Sequence, residues 1–145
     1  MHGSRSTLHG GCLCGAVRYS ISGPLGLAEY CHCSRCRKAH GSAFSANVVV
    51  PAAAFELARG ADAIREFAPS AGRRRQFCGS CGSPLFIRRL AAPDVVVVAL
   101  GSLDDDAAIR APERHVFTDS KAPWHEIAGD LPRWRIYPGH EPQEG

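Results

Sequence analysis

Between residues 16 and 22 the chain alternates: Val17, Tyr19 and Ile21 fall on one side, Arg18 and Ser20 on the other. That period-two pattern is the mark of a half-buried β-strand. Gly23-Pro24 ends it, and a second strand is expected at 28–31. Residues 34–40 lack the alternation and predict a short helix with Ser34 as its N-cap. Further strands are expected over 43–50, closed by Pro51, and over 64–67, 74–77, 85–89 and 115–117. Residues 95–100 are continuously apolar, which predicts a strand buried on both faces. Residues 52–57 read as a brief helical turn and 101–106 as a turn or loop. Many short strands between Gly/Pro turns point to a mostly β, mostly antiparallel fold with few short helical turns.

The 145 residues suit one compact domain, expected over 1–137, followed by a flexible tail at 138–145. Apolar residues at 45% and charged residues at 21% exclude a disordered or fibrous chain. The longest apolar run, 95–100, is far too short to span a membrane, and residues 1–11 lack the apolar core of a signal peptide. A cytoplasmic protein with no membrane partner is expected.

Seven cysteines change the picture. They fall in three clusters: Cys12 and Cys14; Cys31, Cys33 and Cys36; Cys78 and Cys81. An odd count cannot pair completely in disulfides, and a reducing compartment keeps thiols free. Close pairs let one metal take two thiolates from a single tight turn, so the clusters predict zinc. A C-x-x-C redox role is disfavoured because neither pair sits in the strand–helix setting it needs. Seven divides into four plus three. Four thiolates close a structural site, whereas three protein ligands leave a position for water or substrate, as in a catalytic zinc. Spacing leaves the partition open: Cys31, Cys33 and Cys36 can share one ion, or Cys31, Cys33, Cys78 and Cys81 can form a zinc ribbon. Charge bears on partners. Seven thiolates with two zinc ions would bring the formal +3 to zero, which argues against a general nucleic-acid surface.

The cysteines lie in longer motifs. Residues 10–19 (GGCLCGAVRY), 31–38 (CHCSRCRK) followed by Gly41-Ser42-Ala43-Phe44, 77–86 (FCGSCGSPLF) and Gly101-Ser102-Leu103-Asp104 together resemble the glutathione-dependent formaldehyde-activating enzyme / centromere-protein-V family, over about residues 9–134. The resemblance implies a β-tent fold of small antiparallel sheets. It also implies a structural zinc on Cys12, Cys14, Cys78 and Cys81 and a catalytic zinc on Cys31, Cys33 and Cys36, two ions per chain. The implied activity is that of a carbon–sulfur lyase, of the type that forms S-hydroxymethylglutathione from formaldehyde and glutathione. The long N-terminal extension of the family's chromatin-associated branch is missing, which favours the enzyme side.

Thiolate ligation suits this chemistry, because zinc deprotonates a bound thiol outright. Three thiolates on a divalent ion leave a charge of −1 and favour thiol activation over water activation. Arg35, Arg37 and Lys38 are placed to offset that charge and to hold a substrate carboxylate, and Trp124 to wall the pocket. His32 reads as a solvent-facing spacer rather than a fourth ligand, and His40 as an exposed histidine with proton transfer or a fourth-ligand role as the alternatives. His115 divides evenly between packing and site, and Trp134 reads as a core or cover residue. Arg73-Arg74-Arg75 reads as a solvated face. Asp104 to Asp106 read as a solvated turn, with Asp104 a candidate cap. The competing function is a zinc-ribbon-like binding module with both metals structural, contacting nucleic acid or protein. The fourth position on the three-cysteine zinc separates the two readings.

Overall fold

The alternation at 16–22 builds β2 (Arg18–Ser22), with Tyr19 and Ile21 buried beside Val17. This is the computed structural model of the chain, and it describes residues 7–104 and 111–138. The tail expected from 138 onward lies, after Pro138, outside the described residues, as do Asp105 and Asp106.

β2 is the middle strand of a three-stranded antiparallel sheet, flanked by β1 (Thr7–Gly11) and β5 (Phe55–Arg59). Neither flanking strand is expected from the sequence. Only a three-residue 3-10 turn, Ala52–Ala54, stands where 52–57 predicts a helical turn. The chain extends at Phe55 because that ring packs on Tyr19 from the neighbouring strand, with centroids 5.2 Å apart. β1 closes tightly onto β2: a Cβ at Gly10 would lie 2.4 Å from the Tyr19 hydroxyl, so glycine is needed there.

The second sheet has seven strands. Along the chain they are β3 (Ala28–Cys31), β4 (Ser45–Pro51), β6 (Ile64–Ser70), β7 (Arg73–Cys78), β8 (Pro84–Arg89), β9 (Val95–Ala99) and β10 (His115–Val116). Their spatial order is β10-β3-β4-β9-β8-β7-β6. All pairings are antiparallel except β10 beside β3, which is parallel. The mostly β, mostly antiparallel architecture is the one the strand pattern predicts.

Phe55 of the small sheet meets Phe86 of the large one at 4.8 Å, within a core that includes Leu8, Val17, Ile21, Val48 and Val98. Burying each such side chain contributes about 1.5–3 kcal/mol relative to exposure. β9 corrects one expectation. Val96 and Val98 are fully buried, but Val95 and Val97 are only half-buried. The second face of the strand opens on cavities, and Val97 lines two of them. Among the described residues no helix is long and apolar enough to cross a membrane.

Candidate metal centres and active site

The turn after β1 carries Cys12 and Cys14, and the knuckle between β7 and β8 carries Cys78 and Cys81. All four sulfurs lie within 4.8 Å of one another. Cys12 Sγ stands 3.6 Å from Cys14 Sγ, and Cys14 Sγ 3.8 Å from Cys78 Sγ. Thiolates at ~2.3 Å from a tetrahedral zinc stand about 3.8 Å apart, so the donor set fits the ion. These gaps far exceed a disulfide length of about 2.05 Å. Backbone N–H groups support the sulfurs: Val17 donates to Cys12 Sγ at 3.2 Å and Ser80 to Cys78 Sγ at 3.4 Å. The Cys81 thiol is pushed down to about 5, first by its hydrogen bond with the Ser83 hydroxyl. That hydroxyl also accepts from Leu13 N–H at 3.0 Å, which ties the two turns together.

The other three cysteines sit where a strand becomes a helix. Cys31 ends β3, Cys33 precedes α1 (Ser34–His40), and Cys36 is the buried residue of that helix. Cys33, not Ser34, is the N-cap. Its sulfur accepts from Cys36 N–H at 3.3 Å, the role expected of the serine hydroxyl, and Ser34 is already helical. Gly41, in the left-handed region at φ 58°, stops the helix. The three sulfurs lie within 4.8 Å of one another, and among the described residues no fourth His, Cys, Asp or Glu joins them. Without a cation they cannot all ionise. Cys36 is held far below the ordinary thiol range by hydrogen bonds from Cys31 and Cys33, while the same two-way coupling drives Cys31 far above it. Such a trio suits a divalent metal that deprotonates all three thiols and balances two of their three charges. Arg75, from β7, donates to Cys36 Sγ at 3.6 Å.

Cys31 and Cys36 line a cavity of about 460 Å³ between α1, the large sheet and the C-terminal segment. The size is that of a small-molecule site. Buried Asn47, held to Ser45 Oγ at 2.8 Å, separates it from a second cavity of about 280 Å³ lined by His40, Arg75 and three phenylalanines. Phe117 on the wall of the larger cavity holds a left-handed backbone at φ 57°. That conformation is strained for a side chain branching into a ring and clusters at functional sites.

His32 departs from expectation. It is fully buried, and its Nε2 makes a 2.9 Å hydrogen bond with His115 Nδ1. The strand course carries on past Cys31, with His32 N–H donating to Val116 O at 3.0 Å, so the side chain turns inward toward Phe44 and His125. Burial, reinforced by nearby positive charge, pushes its pKa down to about 4. His115 therefore packs and bonds at once. His40 is half-buried, with its pKa lowered mainly by burial, rather than exposed.

Of the substrate contacts expected from the sequence, Arg35 and Lys38 are exposed on α1, and Trp124 is 71% exposed. Arg37 is half-buried, and its Nε is buried without a partner among the described residues. None of the four lines the cavity beside Cys31 and Cys36. Trp134, partly buried, packs against the trio. The run Arg73-Arg74-Arg75 is not a solvated face. Arg74 pairs with Glu66, Arg75 reaches Cys36, and Arg73 lines the cavity. Strand alternation within the run was the signal: Arg73 and Arg75 share a face with Phe77. Asp104 pairs with Arg18, and the segment it is expected to cap lies outside the described residues.

Comparison with known proteins gives a family for the chain. The model of the family described as glutathione-dependent formaldehyde-activating enzyme matches residues 7–120. A Halomonas elongata relative named for that activity is 31% identical over 128 residues, covering 83% of this chain and 80% of the relative. An Aspergillus flavus relative of the same name is 35% identical over 79 residues, covering 53% of this chain and 41% of that protein. A crystal structure of a Rhodobacter sphaeroides protein superposes with a TM-score of 0.55 at 23% identity, covering 72% of this chain and 97% of that one. This last likeness bears on the fold alone.

Proposed function

This chain belongs to the glutathione-dependent formaldehyde-activating enzyme family, and on that premise we propose that it is a zinc-dependent carbon–sulfur lyase. It joins the thiol of glutathione, or of a closely similar thiol, to formaldehyde and releases it in reverse. The observation that carries this reading is the cysteine trio, which has no fourth protein ligand among the described residues and opens on a cavity large enough for such a thiol. A zinc ion bound to Cys31, Cys33 and Cys36 would supply a position at which an entering thiol is held as its thiolate at neutral pH.

The chain's own residues do the rest. Cys31 and Cys36 set the floor of the cavity where the substrate sulfur arrives, and Cys33 locks the turn by capping α1. Arg75 donates to Cys36 and offsets the negative charge of three thiolates. Asn47, Val97 and Val116 form a wall that limits water. In the forward direction the substrate sulfur adds to the aldehyde carbon. The carbonyl π bond opens onto oxygen, and the proton lost by the thiol ends on that oxygen, giving a hydroxymethyl thioether. We assign Cys12, Cys14, Cys78 and Cys81 to a structural zinc, so the chain holds two ions. Its seven free thiols suit a reducing compartment, the cytoplasm.

A binding module with two structural metals would need a fourth side chain on the trio, and none among the described residues reaches it. The deciding experiment is calorimetry of thiols on the zinc-loaded protein in two buffers of different ionisation enthalpy. Glutathione is expected to bind with proton release and S-methylglutathione far more weakly, since a thioether is a poorer ligand than a thiolate. Equal affinity for the two would remove the thiol-activation reading.

A further inference from the structure

Five arginines lie on the β7–β8 hairpin: Arg73, Arg74, Arg75, Arg88 and Arg89. Three are engaged. Arg74 pairs with Glu66 at 3.7 Å, Arg75 donates to Cys36 Sγ, and Arg88 stacks over the Phe86 ring at 5.3 Å. Arg73 and Arg89 have no side-chain partner among the described residues, and the Arg89 Nε is buried without a hydrogen bond. Yet the two stand directly opposite each other in the β7–β8 register. Like charges so placed, with Cβ atoms about 4.5–5.5 Å apart, repel and weaken a sheet. Both line the cavity that also holds Cys31 and Cys36. Glu29, the carboxylate on that cavity wall, is already taken by Arg114 at 2.8 Å. The remaining wall is largely apolar, with Val97, Phe117 and Ile136 among its residues.

We infer that Arg73 and Arg89 form a carboxylate clamp in the cavity that Cys31 and Cys36 also line. The ligand class is then a thiol joined by a short arm to a carboxylate. Two guanidinium forks converging on one carboxylate relieve their mutual repulsion and supply paired, charge-assisted hydrogen bonds. The inference rests on the thiol reading above and narrows it: the cavity selects its thiol by the carboxylate charge the ligand carries.

Three probes test it on the zinc-loaded protein by calorimetry: glutathione, its diethyl ester with the carboxylates masked, and S-methylglutathione with the thiol capped. Parent protein is expected to bind glutathione about tenfold or more tighter than the diester. Arg73→Gln and Arg89→Gln should each cost glutathione about tenfold while leaving the diester within about twofold. Arg89→Lys should recover part of the loss, and Arg74→Gln, whose guanidinium serves Glu66, should leave glutathione binding within about twofold. The comparison of glutathione with diester on parent protein holds even if a variant melts early. Equal parent affinity for glutathione and its diester, or an equal loss of both probes in the arginine variants, overturns the clamp and leaves the thiol site standing. S-methylglutathione binding as tightly as glutathione, with the same arginine dependence, supports the clamp and removes the thiol reading instead. No binding of any probe at millimolar concentration overturns both.

Discussion

The two cysteine clusters offer the same ligand chemistry in opposite settings. Cys12 and Cys14 come from the small sheet, Cys78 and Cys81 from a hairpin of the large one, 64 residues away. Holding those sulfurs together fastens one sheet to the other and closes a long loop. Cys31, Cys33 and Cys36 lie within a single strand–helix corner, so joining them closes almost no chain. What the trio adds is a cavity beside two of its sulfurs and an arginine on a third element. On the proposed reading, a metal on the first cluster would contribute mainly to folding free energy and a metal on the second mainly to chemistry. Substitutions that move stability and activity separately test that contrast.

The largest effect is expected at Cys78. It is fully buried, it ends β7, and its carbonyl accepts from Gly82 N–H at 2.8 Å to form the knuckle. Cys78→Ser should cost on the order of 3–5 kcal/mol or prevent folding, because it removes metal-coupled folding energy and leaves three sulfurs uncompensated. Thermal melts followed by circular dichroism measure this. If Cys36→Ser lowers the melting temperature further than Cys78→Ser, the two clusters have been assigned the wrong way round.

Cys36→Ser should do the reverse. Elemental analysis is expected to fall from two zinc ions per chain to one. Product formation from formaldehyde and glutathione should drop by about 100-fold or more, since even residues that only support a metal ligand cost 10–100-fold. The stability cost should stay within about 1–2 kcal/mol, the penalty of a small buried hydroxyl in place of the thiol. Metal content unchanged at two would mean that Cys36 is not a ligand the second ion needs.

Much of this was legible in the chain. Alternation located β2, and the C-x-C and C-x-x-C spacing located the clusters that could hold a metal, because both are local signals. Which cysteines group together is a matter of topology, which spacing cannot decide, and it took the β1–β2 and β7–β8 turns to bring Cys14 against Cys78. β1 escaped notice because its inward positions are Leu8 and a glycine, too weak a pattern to register. Four consecutive valines hid the cavities, since an apolar run gives no sign of which face stays open. The arginine run misled for a similar reason: charge suggested solvent, while strand alternation sent Arg73 and Arg75 inward.

Arg75 sharpens the contrast at intermediate strength. Its guanidinium contacts Cys36 Sγ at 3.6 Å, so on the proposed reading it would bear on chemistry rather than folding. Arg75→Leu should lower the rate of product formation about tenfold while both zinc ions stay bound, and Arg75→Lys should restore part of it by keeping the charge. A drop in melting temperature as large as that of Cys78→Ser would place Arg75 with the structural set instead.

The smallest effect belongs to the small sheet and should leave chemistry untouched. The buried Tyr19 hydroxyl makes a 2.6 Å hydrogen bond with Ser102 Oγ, which itself donates to Ala99 O at 2.7 Å. Tyr19→Phe removes one bond but leaves Ser102 a partner, so it should cost only about 0.5–1.5 kcal/mol at pH 7. Burial pushes the Tyr19 pKa up to about 12 from its ordinary 10. A group whose pKa is raised on folding stabilises below its unfolded value and loses that contribution as pH climbs through the folded one. Between pH 10 and about 12 the unfolded chain ionises Tyr19 while the folded chain resists. The advantage of the parent over Tyr19→Phe should therefore shrink across that window and then reverse. Denaturant melts of both proteins at several pH values read the difference directly, and a gap that stays constant from pH 7 to 12 would show that Tyr19 is not held neutral by the fold. Glutathione affinity should be the same for both proteins at pH 7, because Tyr19 lines none of the cavities beside the trio.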